Sequence, residues 1–194
     1  NFINLVKPLL PKTDYCSFRF VSKYTNIISA TRGVVEPVII SEDEGLMVTV
    51  FHNGGFGYGA TSNLTQEGIS QAVESAKEWA DFSKNKLTYC PDLSKLKNQT
   101  GSYYTEEEDN WSKVSMKDKA DYLLSVNDSL KSQPTISNWG ASMRFNKIET
   151  LFIDTNDSHV RQKISYLLPQ IIASAEHKKE IQTRTFGGHA HARQ

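Results

Sequence analysis

The sequence predicts an α+β fold: a mixed, largely antiparallel sheet flanked by two long amphipathic helices. Three features of the pattern lead to this prediction. Alternating or β-branched runs fill residues 14–60, the apolar period then changes to that of a helix, and alternation returns after Pro134. Helices are expected at about 65–82 and 115–131, between two groups of strands. At 194 residues the chain is expected to form a single domain, 1–194.

The first part of the chain is predicted to be a short helix followed by a β-meander. Residues 2–10 have a helical pattern, which Pro11 ends. Four alternating or β-branched runs come next and are predicted to be strands: 16–21, 27–32, 34–40 and 46–51. The turn signals between them are Gly33, Pro37 and the acidic run 42–45.

Residues 46–81 are predicted to form a strand, a glycine-rich turn and one long amphipathic helix. The glycines are Gly54, Gly55, Gly57 and Gly59. Side-chain oxygens that could cap the helix follow at Thr61, Ser62, Asn63 and Thr65. The helix then carries apolar residues at helical spacing: Ile69, Ala72, Val73, Ala76, Trp79 and Ala80. This stripe is expected to cover one face of the meander.

The second half is predicted to contain a long connection, a helix and further strands. Residues 83–114 have no sustained period and are expected to be a mobile connection. The helix starts at Ser115, with Asp118 at the position of a near capping box. Strands are expected after it at 139–145, 148–153, 164–168, 171–174 and 181–186, with hairpin tips at 156–158 and 176–179.

The last strands are followed by no third helix that could cover them. We therefore expect apolar surface at Leu167, Leu168, Ile171 and Ile172. Such a surface needs a cover, for which a partner chain is the expected source.

The composition argues against several classes of function. Lys+Arg and Asp+Glu both number 22, so the basic face that a nucleic-acid partner needs is not expected. No apolar run approaches the roughly 20 residues of a membrane span. The cysteines, Cys16 and Cys90, are too few for a disulfide framework and favour a cytoplasmic location. Cys16 is expected to be buried and inert, and Cys90 has no basic neighbour to activate it.

Residues 55–60 match the outline GxGxxA of a dinucleotide fingerprint, with Asp81 about twenty residues later. In that fingerprint the helix begins inside the glycine motif and leads to a parallel strand. Here the cap comes several residues later, and a polar connection follows the helix. The favoured interpretation is a structural turn whose glycines let strand and helix approach, with nucleotide binding as the lesser alternative.

Two other local features of the sequence could indicate metal sites. His189 and His191 would lie on one side of an extended segment and could hold zinc. A third zinc ligand would have to be His52, His177 or an acidic residue, and the sequence does not indicate which. The acidic run 105–109 lacks the defined turn of a calcium site. We therefore predict that His189 and His191 lie on a solvated end strand and that residues 105–109 form a solvated loop. We assign no catalytic, cofactor-binding or metal-binding residue.

Three stretches make the chain similar to a known family. They are residues 14–32 (DYCSFRFVSKYTNIISATR), the segment GFGYGATSNLTQEGISQAVESAKEWA, and the closing series from Ser115 to QTRTFGG. Together they resemble the N-terminal domain of the TldD/PmbA proteins, zinc-dependent peptidases and their partners once called modulators of DNA gyrase. That domain has an opening strand pair, a glycine-rich turn with its helix, and a helix that leads into a β-meander.

The resemblance implies that this chain is part of an enzyme, a metallopeptidase. TldD-type members carry an HExxxH zinc helix, in which two histidines hold the metal and a glutamate can act as general base. The motif does not occur in this sequence, and in the family it lies beyond the glycine-ended strand. We therefore expect the catalytic C-terminal domain and its zinc outside residues 1–194, and this segment alone to be inactive. Both the metal-bearing and the metal-less family types fit the sequence.

The resemblance also implies partners. Family members form homodimers, or heterodimers with a related chain, and enclose a chamber that admits peptides or unfolded proteins. The expected role of this chain is that of a non-catalytic N-terminal domain that helps to form the dimer and the chamber. The alternative is a stand-alone binding or scaffold module without enzymatic activity.

Overall fold

The computed structural model describes residues 2–89, 91–107 and 110–187. Its helices are α1 (Phe2–Val6), α2 (Gln66–Ser83) and α3 (Met116–Leu130). Its strands are β1 (Tyr15–Thr31), β2 (Val34–Val35), β3 (Ile39–His52), β4 (Gly55–Thr61), β5 (Thr100–Tyr104), β6 (Ile136–Asp154), β7 (His159–His177) and β8 (Glu180–Gly187). The predicted α+β class is confirmed, and α2 and α3 are the two long helices. None of these helices is long and apolar enough to cross a membrane.

The described strands form one mixed sheet. Six of them follow the order β4-β3-β1-β6-β7-β5, while β2 pairs with β1 and β8 pairs with β7. Antiparallel pairing joins β1 to β2, β3 to β4, and β7 to β8. The strand β5 lies parallel to β7. This order places β4 at one end of the sheet and β5 at the other.

The strands are longer and fewer than the sequence pattern predicts. The runs 16–21 and 27–32, predicted as separate strands, belong to the single strand β1. Two further pairs are joined in the same way: 139–145 with 148–153 in β6, and 164–168 with 171–174 in β7. Polar residues interrupt the apolar alternation but not the backbone hydrogen bonds, because those bonds do not depend on the side chains.

The acidic run 42–45 is not the predicted turn. It lies within β3, which runs from Ile39 to His52 without interruption. The predicted strand 34–40 is correspondingly reduced to β2 and the first residues of β3. Residues 42–44 are exposed, so water solvates their charges while the backbone stays extended. Charged side chains on an exposed strand also discourage pairing with other chains.

The described residues divide into two compact units. Unit 1 comprises those of 1–23, 43–104 and 148–163, and unit 2 comprises those of 24–42, 105–147 and 164–194. Each unit has a hydrophobic cluster of its own. The single domain 1–194 stays a prediction.

The core of unit 1 lies between α2 and its strands. The strands contribute Cys16, Phe18, Leu46, Val48 and Val50, and α2 contributes Ile69, Ala72, Val73, Ala76 and Ala80. This is the predicted apolar stripe of α2 with one exception, because Trp79 is 57% exposed. Each large aliphatic side chain buried here contributes roughly 1.5–3 kcal/mol to stability. The cover that α2 was expected to give the strands is therefore present.

The core of unit 2 is formed by α3 and its strands. It includes Leu123 of α3, Ile28 and Ala30 of β1, and Ala141 and Met143 of β6. The helix begins after the N-cap Ser115, whose hydroxyl accepts a hydrogen bond from the N–H of Asp118 at 3.1 Å. The predicted start of this helix is thus confirmed.

The apolar surface predicted on β7 is mostly covered. Leu167 and Ile171 pack against the cluster of unit 2, and Leu168 is only 5% exposed. Among the four residues only Ile172, at 37%, is clearly exposed. The expectation of an open apolar surface is therefore wrong for the other three. The helix that supplies part of the cover is α3, which precedes these strands in the chain instead of following them.

The connection 83–114 contains secondary structure that its sequence did not predict. It holds β5 and two short 3-10 turns, Leu93–Lys95 and Trp111–Lys113. The carbonyl of Gln99 accepts a hydrogen bond from the N–H of His159 at 2.7 Å, and β5 continues this pairing along β7. All five residues of β5 are exposed, so no apolar alternation marks the strand. The expected mobility of the connection stays a prediction.

Candidate functional site

The predicted glycine-rich turn is instead a strand at the edge of the sheet. The chain turns at Asn53 and Gly54, which have positive φ angles of 50° and 76°. The next residues form β4, whose pairing with β3 begins at Gly55, opposite His52. The turn therefore needs only one of the four glycines. The other three belong to β4.

These three glycines allow α2 to lie directly on β4. A Cβ at Gly55, Gly57 or Gly59 would lie 1.8, 2.0 or 1.9 Å from the carbonyl oxygen of Ala80, Ala76 or Ala72, respectively. Side chains do not approach backbone oxygens so closely, so each position requires glycine. The predicted close approach of strand and helix is confirmed, although it occurs along a strand and not at a turn.

This packing removes the structural context of a dinucleotide site. The strand β4 is antiparallel to β3. The helix α2 begins at Gln66, several residues after the glycines. The hydroxyl of its N-cap Thr65 accepts a hydrogen bond from the N–H of Gly68 at 3.2 Å. The packing of α2 accounts for the glycines without a bound nucleotide.

The histidines are not gathered into a metal site in the part of the chain that the structure describes. His189 and His191 lie outside that part, so their solvated end strand stays a prediction. Nε2 of His52 lies 3.0 Å from Nδ2 of Asn53, and His177 is exposed at the end of β7. Among the described residues, no group of three or more His, Cys, Asp or Glu could hold a metal ion.

Cys16 is buried, as predicted, and is chemically protected. It has no exposed surface. Burial, with the nearby Asp154 as a second cause, raises the pKa of its thiol from 9.0 to about 12. The thiolate is the nucleophilic form of cysteine, so this residue is inert at neutral pH. Cys90, and Glu108 and Asp109 of the acidic run, lie outside the described residues.

A polar network closes the hairpin tip between β6 and β7. Oδ1 of Asp154 accepts hydrogen bonds from the N–H groups of Asn156 and Ser158, at 2.9 and 2.8 Å. Its Oδ2 accepts one from the Tyr15 hydroxyl at 3.3 Å. The Ser158 hydroxyl accepts one from the N–H of Gln99 at 3.0 Å. The sequence predicts the tip by its Asn and Asp residues, but not these long-range partners. The network has a structural role.

The outer edge of β4 remains as the candidate site. The Ser83 hydroxyl accepts a hydrogen bond from the N–H of Phe56 and donates one to its carbonyl, each at 2.7 Å. The backbone groups of Phe56 therefore point away from β3. Because these directions alternate along a strand, those of Tyr58 and Ala60 point the same way. No group of the described residues binds them.

Exposed aromatic side chains flank this edge on both faces of β4. Phe56 and Tyr58 alternate with the glycines and so lie on the face away from α2, with their ring centroids 4.5 Å apart. On the helix side, the rings of Trp79 and Phe82 meet at 5.7 Å. Tyr58, Trp79 and Phe82 are 53%, 57% and 64% exposed. Clustered exposed aromatic residues are typical of sites that bind other proteins or peptides.

A groove of about 490 Å³ adjoins the edge. Arg19 and Val21 of β1, Met47 of β3 and Ala60 of β4 contribute to its lining. Arg19 is exposed, and within the described residues its guanidinium makes no ion pair. The groove thus combines apolar walls with one available positive charge. Below, "the β4 edge" means the open backbone of Tyr58 and Ala60, the flanking aromatic residues and this groove.

Comparison with known proteins shows what this chain is similar to. Residues 16–80 match the family model of PmbA/TldA metallopeptidase domain 1. The predicted resemblance to the N-terminal domain of the TldD/PmbA family is confirmed. The matched TldD/PmbA segment extends from β1 into α2 and includes Phe56, Tyr58, Ala60 and Trp79. No curated protein sequence matches the chain.

Solved structures share the fold over nearly the whole chain. A proposed modulator of a DNA gyrase from Thermotoga maritima is 14% identical, with a TM-score of 0.68 over 96% of this chain and 41% of that one. A proposed modulator of DNA gyrase from Bacteroides thetaiotaomicron is 12% identical, with a TM-score of 0.69 over 96% and 42%. TldE from Thermococcus kodakarensis is 12% identical, with a TM-score of 0.67 over 96% and 42%. The chain thus spans about two fifths of the length of these proteins.

Proposed function

We propose that this chain is the N-terminal, non-catalytic domain of a TldD/PmbA-like zinc-dependent peptidase. In this role it helps to form a homodimer or a heterodimer with a related chain, and a chamber that admits peptides or unfolded proteins. The enzyme works in the cytoplasm, without a nucleic-acid or membrane partner.

The observation that carries this proposal is the match of residues 16–80 to the first domain of a metallopeptidase family. The share of the solved structures that the chain covers, 41–42%, fits one domain of a larger protein. Within the described residues, the Cys16 thiol is buried with a raised pKa, and no group of three or more His, Cys, Asp or Glu could hold a metal ion. The zinc and its general base would then be held by the C-terminal domain.

The direct test is the sequence that follows Gln194 in the open reading frame. An HExxxH motif there supports a metal-bearing peptidase, because it supplies two histidine ligands for zinc and a glutamate that can act as general base. A stop codon at this point would contradict the proposal and favour the stand-alone binding or scaffold module.

A second test measures zinc and peptidase activity. The chain of 194 residues is compared with the complete protein after dialysis against a low zinc concentration. We expect less than about a tenth of an equivalent of zinc in the chain and close to one in a metal-bearing complete protein, because a catalytic zinc needs about three protein ligands. Only the complete protein should cleave an unfolded casein substrate.

The control for this test is the double variant His189→Ala/His191→Ala. It removes the one local histidine pair of the sequence. A full equivalent of zinc in the unmodified chain that disappears in the double variant would overturn the assignment of a non-catalytic domain.

A further inference from the structure

We propose that a second cavity of unit 1 binds a free α-amino acid with an apolar side chain. The cavity has a volume of about 290 Å³, and below it is called the Arg161 cavity. The lining residues that carry the argument are Phe20, Glu44, Leu64, Glu149, Leu151 and Arg161. All of them belong to unit 1. The proposal rests on these residues and does not depend on the proposed peptidase function.

The floor of the Arg161 cavity continues the core of unit 1. Phe20 lies two residues after the buried Phe18 on β1, and Leu151 lies two residues before the buried Ile153 on β6. Because side chains alternate along a strand, each of the two points to the same face as its core neighbour. Together with Leu64, they pack against the core while staying partly exposed. They form an apolar surface on which a ligand side chain can leave water.

A carboxylate interrupts this apolar face. Glu44 lies two residues before the buried Leu46 on β3, so its side chain points to the same face as the core. Glu44 is exposed, and within the described residues its carboxylate makes no ion pair. The ammonium group of a ligand can therefore bind this carboxylate without displacing a cation of the protein.

Opposite charges lie side by side at the mouth of the cavity. Nη2 of Arg161 is 3.6 Å from Oε2 of Glu149, and the two side chains are 56% and 31% exposed. This distance is longer than the roughly 2.7–2.9 Å of a charge-assisted hydrogen bond, and ion pairs with such exposure contribute little to stability. The guanidinium therefore keeps N–H donors for the carboxylate of a ligand.

An apolar α-amino acid matches this arrangement. Its ammonium and carboxylate groups are bonded to one carbon, so both can reach the neighbouring charges of Glu149 and Arg161. The ammonium group suits Glu44 and Glu149, the carboxylate suits the fork of Arg161, and the side chain suits the apolar floor. Sites for drug-sized ligands have volumes of roughly 300–1,000 Å³. The smaller Arg161 cavity therefore favours a single amino acid over a longer peptide.

The probe is L-leucine, and three related compounds each lack one of its groups. Glycine lacks the apolar side chain, 4-methylpentanoate lacks the ammonium group, and leucinamide lacks the carboxylate, as the N-terminus of a peptide does. Isothermal titration calorimetry with the 194-residue chain measures binding. We expect leucine to bind with a Kd of about 1 mM or lower, and each of the other compounds to bind at least about tenfold more weakly.

Charge variants of the cavity give matched tests. Arg161→Gln should weaken leucine about tenfold and keep leucinamide within about twofold of its affinity for the unmodified chain, because only leucine has the carboxylate. Glu44→Gln should weaken leucine and leucinamide alike, at least about fivefold, and should not weaken 4-methylpentanoate. Circular dichroism establishes that each variant is folded. An unfolded variant would lose all ligands alike, so these selective losses identify the contacts.

The control variants are Arg144→Gln on β6 and Glu42→Gln on β3. Both residues are exposed, and neither lines the Arg161 cavity. They remove the same charges from the chain as the two test variants. Leucine should bind to both within about twofold of its affinity for the unmodified chain.

Three outcomes would overturn this proposal. They are no binding of leucine at about 10 mM, equal binding of leucine and either glycine or leucinamide, and an unchanged affinity for leucine in both charge variants. Equal binding of leucinamide would make the ligand an apolar amine, such as the N-terminus of a peptide. Leucine binding with a stop codon after Gln194 would refute the proposed peptidase and leave the cavity site, whereas an HExxxH motif without leucine binding would do the reverse.

Discussion

The carbonyl oxygen of Ala76 occupies the space in which a side chain at Gly57 would begin. A Cβ at Gly57 would lie 2.0 Å from this oxygen and 2.5 Å from the backbone nitrogen of Ala80. The backbone of α2 therefore lies against the backbone of β4. This contact also places Trp79 and Ser83, which belong to the same helix, beside the edge of the sheet.

Gly57→Ala is expected to lower the free energy of unfolding by about 2–3 kcal/mol. The added methyl group meets backbone atoms, which cannot rotate away as a side chain can. The helix must shift from the strand, and the packing of the core of unit 1 must loosen. Urea unfolding followed by circular dichroism measures the change.

The matched control is Gly101→Ala in β5. A Cβ at Gly101 meets no atom within 4 Å, and the residue is exposed. Its effect should stay within about 0.5 kcal/mol. If the two variants prove equally stable, the close contact between β4 and α2 does not exist in solution.

The helices were the most predictable part of the fold because their signals are local. Ser115 is the predicted start of α3 and Thr65 is one of four predicted candidates for the cap of α2, and each hydroxyl accepts a hydrogen bond from the N–H three residues later. The long strands were less predictable. The acidic residues 42–44 of β3 resemble a turn in sequence, and only pairing with distant residues keeps them extended.

The β4 edge could be predicted only in part. The glycines of the predicted turn indicated a close approach of strand and helix, and the structure has this contact along β4, at Gly55, Gly57 and Gly59. The position of β4 at the end of the sheet depends on the order of all the strands. A local sequence pattern does not determine that order. The bond between Ser83 and Phe56 joins residues 27 positions apart. The unpaired backbone N–H and carbonyl of Tyr58 could therefore not be predicted from the sequence.

Asn127→Ala is expected to cost about 2–4 kcal/mol of stability. Asn127 is fully buried in unit 2. Its Oδ1 accepts a hydrogen bond from the N–H of Gly33 at 2.6 Å, and its Nδ2 donates one to the carbonyl of Ala30 at 2.9 Å. Alanine leaves the buried carbonyl of Ala30 and the N–H of Gly33 without these bonds. Thermal and urea unfolding measure the loss.

The comparison for Asn127 is Asn138→Ala, at an exposed position of β6. This variant should change the stability by less than about 0.5 kcal/mol. A similarly small effect of Asn127→Ala would mean that water or a shifted side chain satisfies Gly33 and Ala30. The role assigned to the buried amide would then be wrong.

The last prediction concerns alkaline pH and Cys16. The folded chain raises the pKa of this thiol from 9.0 to about 12, chiefly because burial disfavours the thiolate. The pKa of the Tyr15 hydroxyl is also raised, again chiefly by burial. Between these pH values the folded chain keeps a proton on Cys16 that the unfolded chain releases. The contribution to stability is therefore fully present below about pH 9 and is lost as the pH rises toward 12.

The test is the stability of Cys90→Ala and Cys90→Ala/Cys16→Ala, measured by urea unfolding from neutral to alkaline pH. Both variants lack Cys90, so the difference between their slopes reports chiefly on Cys16. We expect the first to lose stability more steeply above pH 9, by at most about 1.4 kcal/mol per pH unit for one thiol. Tyr15 is present in both variants and Cys16 is the smallest of the causes that raise its pKa, so most of its contribution cancels. Parallel curves would mean that the Cys16 thiol titrates alike in the folded and unfolded chains, which would contradict its burial in the core.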